Sequence, residues 1–334
     1  MRVTRGIADV SPARTASTAA RTRATDASVG AGSAVTIGNF DGVHIGHQAM
    51  LARVREAAAA RGLRNCVLTF EPHPRELFTP GQAPTRLTSL REKLELLASY
   101  GVERTHVSRF SRAFAAMPAA AFVERVLIGT LDVRWVLVGE DFRFGAKRGG
   151  DVPLLRDMGA RCGFEVEVMP EVLLGSTRVA SSSVREALRA GDLDAAKQLL
   201  GRAYAISGRV VHGDKLGREL GFATANIRLK HNRAPFTGIY AVRLHGEGAG
   251  FESGVRNGVA SLGVRPTVKA AGAAPLLEVH LFDFSGELYG RHVRVEFLRK
   301  IRDEEKFPDL DTLKAKIAGD CEAARKILLE MGNG

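Results

Sequence analysis

The sequence predicts an α/β domain on a doubly wound parallel sheet, followed by an antiparallel β-barrel with a terminal helix. Three observations carry this expectation. The 334 residues suffice for two ordinary domains, each with its own core. From Ala34 onward, apolar strand-like runs alternate with helical patterns, the mark of a parallel sheet covered on both faces. Near Tyr204 the helical patterns give way to short alternating strands between glycine-rich turns, the pattern of an antiparallel barrel or sandwich.

Residues 1–33 come first. The stretch "SPARTASTAARTRATDASVGAGS" has no hydrophobic period and reads as a flexible extension. Asp9 and Asp26 interrupt a transit-peptide pattern, and no apolar signal-peptide core is present. The α/β domain is expected over 34–186. "AVTIGNF", "NCVLTF", "THVSRF", "RWVLVG" and "FEVEVMP" are its strands, while "HQAMLARVREAAAARG", "SLREKLELLASYG", "PAAAFVERVLIG" and "VPLLRDMGARCG" are its helices. A helical linker is expected over 187–203. The second domain, 204–330, has "YAISGRVVHG", "GIYAVRLHG", "GVASLGV", "LLEVHLFDF" and "RHVRVEFLRKI" as strands. Leu310, Leu313, Ile317, Cys321, Ala324 and Leu328 then recur at helical spacing, which suits a last helix packed on the barrel.

Composition narrows the function. A net charge of +11 favours anionic ligands, but the arginines are scattered and no aromatic-rich strand offers a base-stacking platform, so no nucleic-acid partner is expected. No apolar run approaches a membrane span, so no membrane partner is expected either. Cys66, Cys162 and Cys321 stand far apart, which fits a reducing cytoplasm rather than a disulfide framework.

The unusual segments of the first half lie at strand ends, where ligands of such sheets bind. In "GNFDGVHIGHQAML", Gly38 and Gly42 permit tight turns, Gly46 allows a phosphate close to the main chain, and His47 opens a helix whose free N–H groups attract anions. Phosphate handling by His44 and His47 leads; a packed histidine pair and a metal site lacking a near third ligand are the alternatives. In "GEDFRFGAKRGGD", Phe142 and Phe144 alternate with Asp141 and Arg143, so the loop could clasp a flat ring and a phosphate, or be simply a solvated basic loop. In "VASSSVREAL", Ser181, Ser182 and Ser183 precede a helix: one is expected to be its N-cap, and the three hydroxyls with Arg185 suit a triphosphate.

In the second half, "GRVVHGDKLGRELGFATANI" is glycine-rich and ends in Thr224 and Asn226, neutral oxygens suited to Mg²⁺ held with ATP phosphates, although the spacing is no Walker A loop. Glu278 is a carboxylate in an otherwise apolar strand: a buried structural group, or a general base for an alcohol.

Together "GNFDGVHIGH", "LTFEPHP", "GEDFRFG", "ASSSVREAL", "GRVVHGDKLGRELGFATANI", "GIYAV", "GVASLGVRPTV" and "LEVHLFDFSGELYGRHVRVEFLRKIRDEEKF" resemble, in order, the bacterial bifunctional riboflavin kinase/FAD synthetase family from about Ala34 to Lys326. "RGIADV" looks like that family's first strand. The resemblance implies a nucleotidylyltransferase domain that transfers AMP from ATP to FMN, giving FAD, and a kinase domain that makes FMN from riboflavin and ATP with Mg²⁺. It assigns His44, His47 and Asn39 to adenylyl transfer. Gly38, Phe40, Asp41, Gly46, Ser181, Ser182, Ser183 and Arg185 would bind nucleotide and phosphate. Phe70, Pro72, His73, Pro74, Asp141, Phe142 and Arg143 would shape the flavin pocket. In the kinase half it assigns Gly208, Gly213, Lys215 and Gly217 to the nucleotide, Thr224 and Asn226 to Mg²⁺, Glu278 to the base, and Arg265 to the flavin or a phosphate. Two residues depart from the pattern: Ala223 replaces a usual proline and Ser261 a usual asparagine. An enzyme with an impaired kinase half and a non-catalytic flavin-binding regulator are the rival expectations. A cytidylyl- or pantetheine-phosphate adenylyltransferase leaves the second half unexplained. A monomer or weak homo-oligomer is expected.

Overall fold

The computed structural model describes residues 1–6, 32–213, 221–231, 233–247, 251, 254–264 and 275–332. The chain divides into two compact units, Met1–Pro84 with Lys93–Arg178, and Thr85–Glu92 with Val179–Gly334. Most of the expected N-terminal extension lies outside the described residues, as do Lys215, Gly217 and Arg265.

The first unit is a six-stranded parallel sheet of β1 (Arg2–Arg5), β2 (Ser33–Ile37), β3 (Arg64–Glu71), β4 (Arg104–Arg109), β5 (Val133–Gly139) and β6 (Glu165–Met169), in the order β1-β4-β3-β2-β5-β6. Its central strands are near-continuous apolar runs because both faces are covered. On one face Val35, Leu68, Val136 and Val138 meet Val123, Leu127 and Leu155. On the other, Ala34, Trp135 and Leu137 meet Val54 and Ala57 of the helix Ile45–Arg61. The chain runs outward from β2 to β3 and β4, then crosses back to β5 on the other side of β2, so the topological switch point lies between β2 and β5. The expected first strand, residues 5–10, meets β1 at Arg5, and its residues 7–10 lie outside the described residues. A small hairpin, β7 (Leu173–Leu174) with β8 (Thr177–Arg178), follows β6.

The serine-rich segment departs from expectation. The helix Ser181–Ala190 is preceded by Ala180, which has an extended backbone and no side chain to cap with, so no serine is the N-cap. All three serines instead occupy the first turn, where backbone N–H groups have no ladder partner.

The second unit holds a closed antiparallel barrel in the order β10-β13-β12-β11-β14-β9. Its strands are β9 (Ala205–Val211), β10 (Thr224–Arg228), β11 (Gly238–His245), β12 (Val255–Val264), β13 (Pro275–Leu281) and β14 (His292–Arg302). The short β10, not foreseen as a strand, closes the barrel between β9 and β13. Ile227, Leu277 and Val279 are fully buried, while the alternate residue Arg228 is exposed; the pleat therefore turns the former inward and the set Thr224, Asn226, Glu278 and His280 outward. Elsewhere on the outer face, Ala241 and Val259 pack against Cys321, Ala324 and Leu328 of the terminal helix Leu310–Gly332.

Candidate functional site

Each unit presents a site. In the first, the loops after β2, β3 and β5 leave the carboxyl ends of adjacent strands at the switch point, where ligands of open α/β sheets bind. These loops carry Gly38–His44, Pro72–Pro74 and Asp141–Arg143.

The loop after β2 is tightly wound. Phe40 and Val43 are fully buried and have φ of 47° and 42°, and Gly42 between them has φ of 80°. A left-handed β-branched valine is a strained conformation of the kind concentrated at functional loops. Its consequence is positional: His44 becomes the N-cap of the helix Ile45–Arg61, its Nδ1 accepting from the His47 backbone N–H at 3.3 Å. The helix thus starts two residues before His47, with Gly46 buried in its first turn. The two imidazoles stack, ring centroids 3.7 Å apart, and Phe40 leans on His47 at 4.8 Å. Burial, then the neighbouring charges of His44 and Lys93, hold the His47 pKa well below its ordinary value. Asn39 Oδ1 and His47 Nδ1 are buried without hydrogen-bond partners, although the Asn39 carbonyl accepts from Thr69 Oγ1 at 3.2 Å. Asp41 is buried in the same loop.

Phe70 at the end of β3 joins an aromatic wall with Phe110 and Phe114, centroids 5.9 and 5.8 Å away. His73 caps the helix Pro74–Phe78 through a capping box with Glu76, so it has a structural task there. After β5, Phe142 stacks on Phe144 at 5.4 Å, while Asp141 pairs with Arg178 at 3.0 Å and Arg143 with Asp151 at 3.2 Å. Ser181, Ser182, Ser183 and Arg185 belong to the second unit, and Arg185 Nε donates to the Thr85 carbonyl at 2.6 Å.

Sequence reasoning missed Lys93, a buried lysine whose charge acts on His47, and the aromatics Phe110 and Phe114. Lys93 was hidden in a helical pattern that reads as a solvated charged face. Phe110 ends the expected strand "THVSRF", and its wall became visible only once β3 and β4 were paired.

In the second unit, a cavity of about 350 Å³ is lined by residues including Gly213, Thr224, Asn226, His280 and Tyr289. Thr224 and Asn226 lie opposite His280 and Glu278 in the β10–β13 register. Asn226 Oδ1 is buried without a partner. Gly213 lies just beyond β9, and a β-carbon there would overlap the Asn226 carboxamide. Gly208 sits within β9. Tyr289 stacks on His212 at 3.9 Å. The Ala223 carbonyl is held by His280 Nδ1 at 2.9 Å, a tether at one departure from the family pattern. At the other, Ser261 Oγ donates to Glu304 Oε1 at 3.4 Å.

A family model described as FAD synthetase matches residues 26–183, and one described as riboflavin kinase matches residues 200–328. The chain is 47% identical over 296 residues to a bifunctional riboflavin kinase/FMN adenylyltransferase of Pseudomonas fluorescens, covering 89% of this chain and 93% of that protein. It is 48% identical over 295 residues to the protein of that name from Escherichia coli K12, covering 88% and 92%. A crystal structure named as a macrolide-efflux protein of Streptococcus pneumoniae matches with a TM-score of 0.72 and 28% identity over 88% of this chain and 94% of that one. Among the described residues of the present chain, no helix is long and apolar enough to cross a membrane.

Proposed function

The chain belongs to the bifunctional riboflavin kinase/FMN adenylyltransferase family, and from that premise we propose how its own residues carry the two reactions. The protein phosphorylates riboflavin with ATP to give FMN in its C-terminal half, and transfers AMP from ATP to FMN to give FAD and pyrophosphate in its N-terminal half.

The observation that carries the residue assignment is a set of buried polar atoms left without partners at the two sites: Asn39 Oδ1 and His47 Nδ1 in one, Asn226 Oδ1 in the other. Orphaned buried groups cost stability, and a ligand that binds them recovers it. In adenylyl transfer, His44 and His47 face the α-phosphate and the departing pyrophosphate, and stabilise the charge that develops there without a covalent intermediate. Asn39, Asp41, Gly38, Phe40 and Gly46 form the phosphate-facing loop, and Ser181, Ser182, Ser183 and Arg185 bind triphosphate. Phe70, Pro72, His73, Pro74, Asp141, Phe142 and Arg143 surround the flavin, with Phe110 and Phe114 completing the aromatic wall.

In the kinase half, Glu278 takes the proton of the ribityl 5′-hydroxyl as that oxygen bonds to the γ-phosphorus and the bond to the β,γ-bridging oxygen breaks, releasing ADP. Thr224 and Asn226 offer neutral oxygens that fit Mg²⁺, and Asn226 Oδ1 has no protein partner to displace. Mg²⁺ bound there would neutralise charge on the ATP phosphates. Gly208, Gly213, Lys215 and Gly217 cover the nucleotide, and Arg265 contacts flavin or phosphate. The reading includes a cytoplasmic setting, a monomer or weak homo-oligomer, and no nucleic-acid or membrane partner.

Incubation of the pure chain with riboflavin, ATP and Mg²⁺, followed by separation of the flavins, tests it. FMN followed by FAD is the expected course. FAD from supplied FMN, with no product from riboflavin, would mean an impaired kinase half.

A further inference from the structure

Asn226, Glu278 and Ser261 form a row across three neighbouring strands. Asn226 of β10 stands opposite Glu278 of β13, and Glu278 opposite Ser261 of β12. Directly paired residues share a face, with β-carbons roughly 4.5–5.5 Å apart. Ser261 therefore flanks the proposed base on the side away from the proposed Mg²⁺ ligand.

The Ser261 hydroxyl donates to Glu304 Oε1. Glu304 follows β14, whose partners in the barrel are β11 and β9 rather than β12, so its carboxylate reaches past β11 to lie on β12. The sequence keeps room for it: a β-carbon at Gly263, two residues from Ser261 on the same face, would overlap both Glu304 carboxylate oxygens. Burial pushes the Glu304 pKa up, opposed by the Ser261 hydrogen bond and the charge of Arg302. Glu304 is an exposed residue, yet its two carboxylate oxygens are seated directly over Gly263, which marks it as a placed group.

We propose that Glu304 is a positioning residue of the kinase site, acting through the Ser261 hydroxyl to fix the edge of the cleft where Glu278 meets the substrate alcohol. A serine hydroxyl has one proton to give and two lone pairs to offer. With its proton committed to Glu304, Ser261 presents those lone pairs in a fixed direction, and they accept from a hydroxyl of the polyol chain beside Glu278. Asparagine at this position also has a proton to donate to Glu304, so the departure at Ser261 conserves the link. The inference rests on the assignment of riboflavin phosphorylation to this half.

Steady-state FMN formation by the full chain tests it, with FAD formation from supplied FMN as the internal control. Glu304→Ala should lower kcat/KM for riboflavin by about tenfold, the scale of one hydrogen bond to a charged group, and leave KM for ATP and FAD formation as they were. Ser261→Ala should produce the same loss, and the double variant should fall no further, because both changes remove one shared bond. Ser261→Asn should recover most of what Ser261→Ala loses. Riboflavin turnover at the wild-type rate in Glu304→Ala, or losses that add in the double variant, would overturn the proposal. If Glu304→Ala loses both reactions through misfolding, the Ser261 pair decides: loss with Ala and recovery with Asn supports it, equal rates refute it. A wild-type chain that makes no FMN from riboflavin would overturn the kinase assignment itself, a result distinct from an active wild type with indifferent variants.

Discussion

The imidazoles of His44 and His47 lie stacked, centroids 3.7 Å apart and planes 18° from parallel. Two cations cannot share that separation cheaply, and burial already holds His47 well below its ordinary pKa. Unliganded His47 is therefore neutral at pH 7, and an arriving triphosphate supplies the negative charge that favours its imidazolium. Nucleotide binding should draw a proton from solution, measurable by calorimetry in buffers of different ionisation enthalpy. His47→Ala should abolish that uptake and slow FAD formation by about 100-fold or more, while FMN formation from riboflavin continues. Equal loss of both reactions in a folded variant would refute the assignment of one chemistry to each half.

Gly213 and Asn226 make the parallel case in the kinase half. A methyl group at Gly213 has to displace the Asn226 carboxamide, whose Oδ1 is the proposed Mg²⁺ ligand. Misplacing a positioning group by about an ångström can cost on the order of 100-fold in rate. Gly213→Ala should therefore reduce FMN formation on that scale and raise the Mg²⁺ concentration needed for half-maximal rate. FAD formation from FMN should be untouched. A normal Mg²⁺ dependence in this variant would argue against Asn226 as a ligand.

Both sites show what the sequence makes legible. The alternation of buried runs with helical periods identifies β2, β3 and β5, whose apolar runs are those of strands covered on both faces, while the polar β4 and the edge strand β6, with its alternating Glu-Val, are legible from their place between helical patterns. Gly42 is readable in the loop after β2 because a sharp turn favours glycine, whereas the cap at His44 is not, since histidine is no usual N-cap and the sequence places the helix start at His47. Lys93 is not readable: its helix looks amphipathic, and only the fold reveals that this lysine is buried near His47. Glu304 is hidden for the same reason, since nothing in "RDEEKF" says that the chain carries one carboxylate across β11. Strand β10 escaped notice because "TANIR" is short and follows a glycine-rich segment; its place is set by pairing with β9 and β13. The serine cap failed because Ala180, not a hydroxyl residue, takes the extended backbone before the helix.

Arg302 grips Asp320 of the terminal helix with two hydrogen bonds, at 2.8 and 2.6 Å, and both side chains are largely buried. The net worth of such a pair is small, but removing Asp320 takes away the bidentate partner of a largely buried guanidinium and leaves it to Glu305 at 3.4 Å and the Asp303 carbonyl at 2.9 Å. Asp320→Ala should cost about 2 kcal/mol in denaturant unfolding, the scale of losing hydrogen bonds to a charged group, and Asp320→Asn less, because the amide oxygen still accepts one bond. Equal stability of the Ala variant and wild type would mean that solvent reaches Arg302.

The last test concerns His106, buried in β4 with Nδ1 3.0 Å from Thr4 Oγ1 of β1. Burial first, and the charge of Arg104 second, push its pKa from 6.5 to about 4. Above pH 6.5 neither the folded nor the unfolded form carries this proton, so its contribution to stability is fully present. Between 6.5 and about 4 the unfolded chain binds the proton and the folded one does not, so stability falls with pH, by up to about 3 kcal/mol across the window. His47, also held low, adds a loss of the same sign. Guanidinium unfolding of wild type and His106→Gln near pH 7.5 and pH 4.5 separates the two. The variant should lose less stability on acidification, and the slope that remains should include the His47 contribution. A variant as acid-sensitive as wild type would show that His106 titrates in the folded protein much as it does in the unfolded chain.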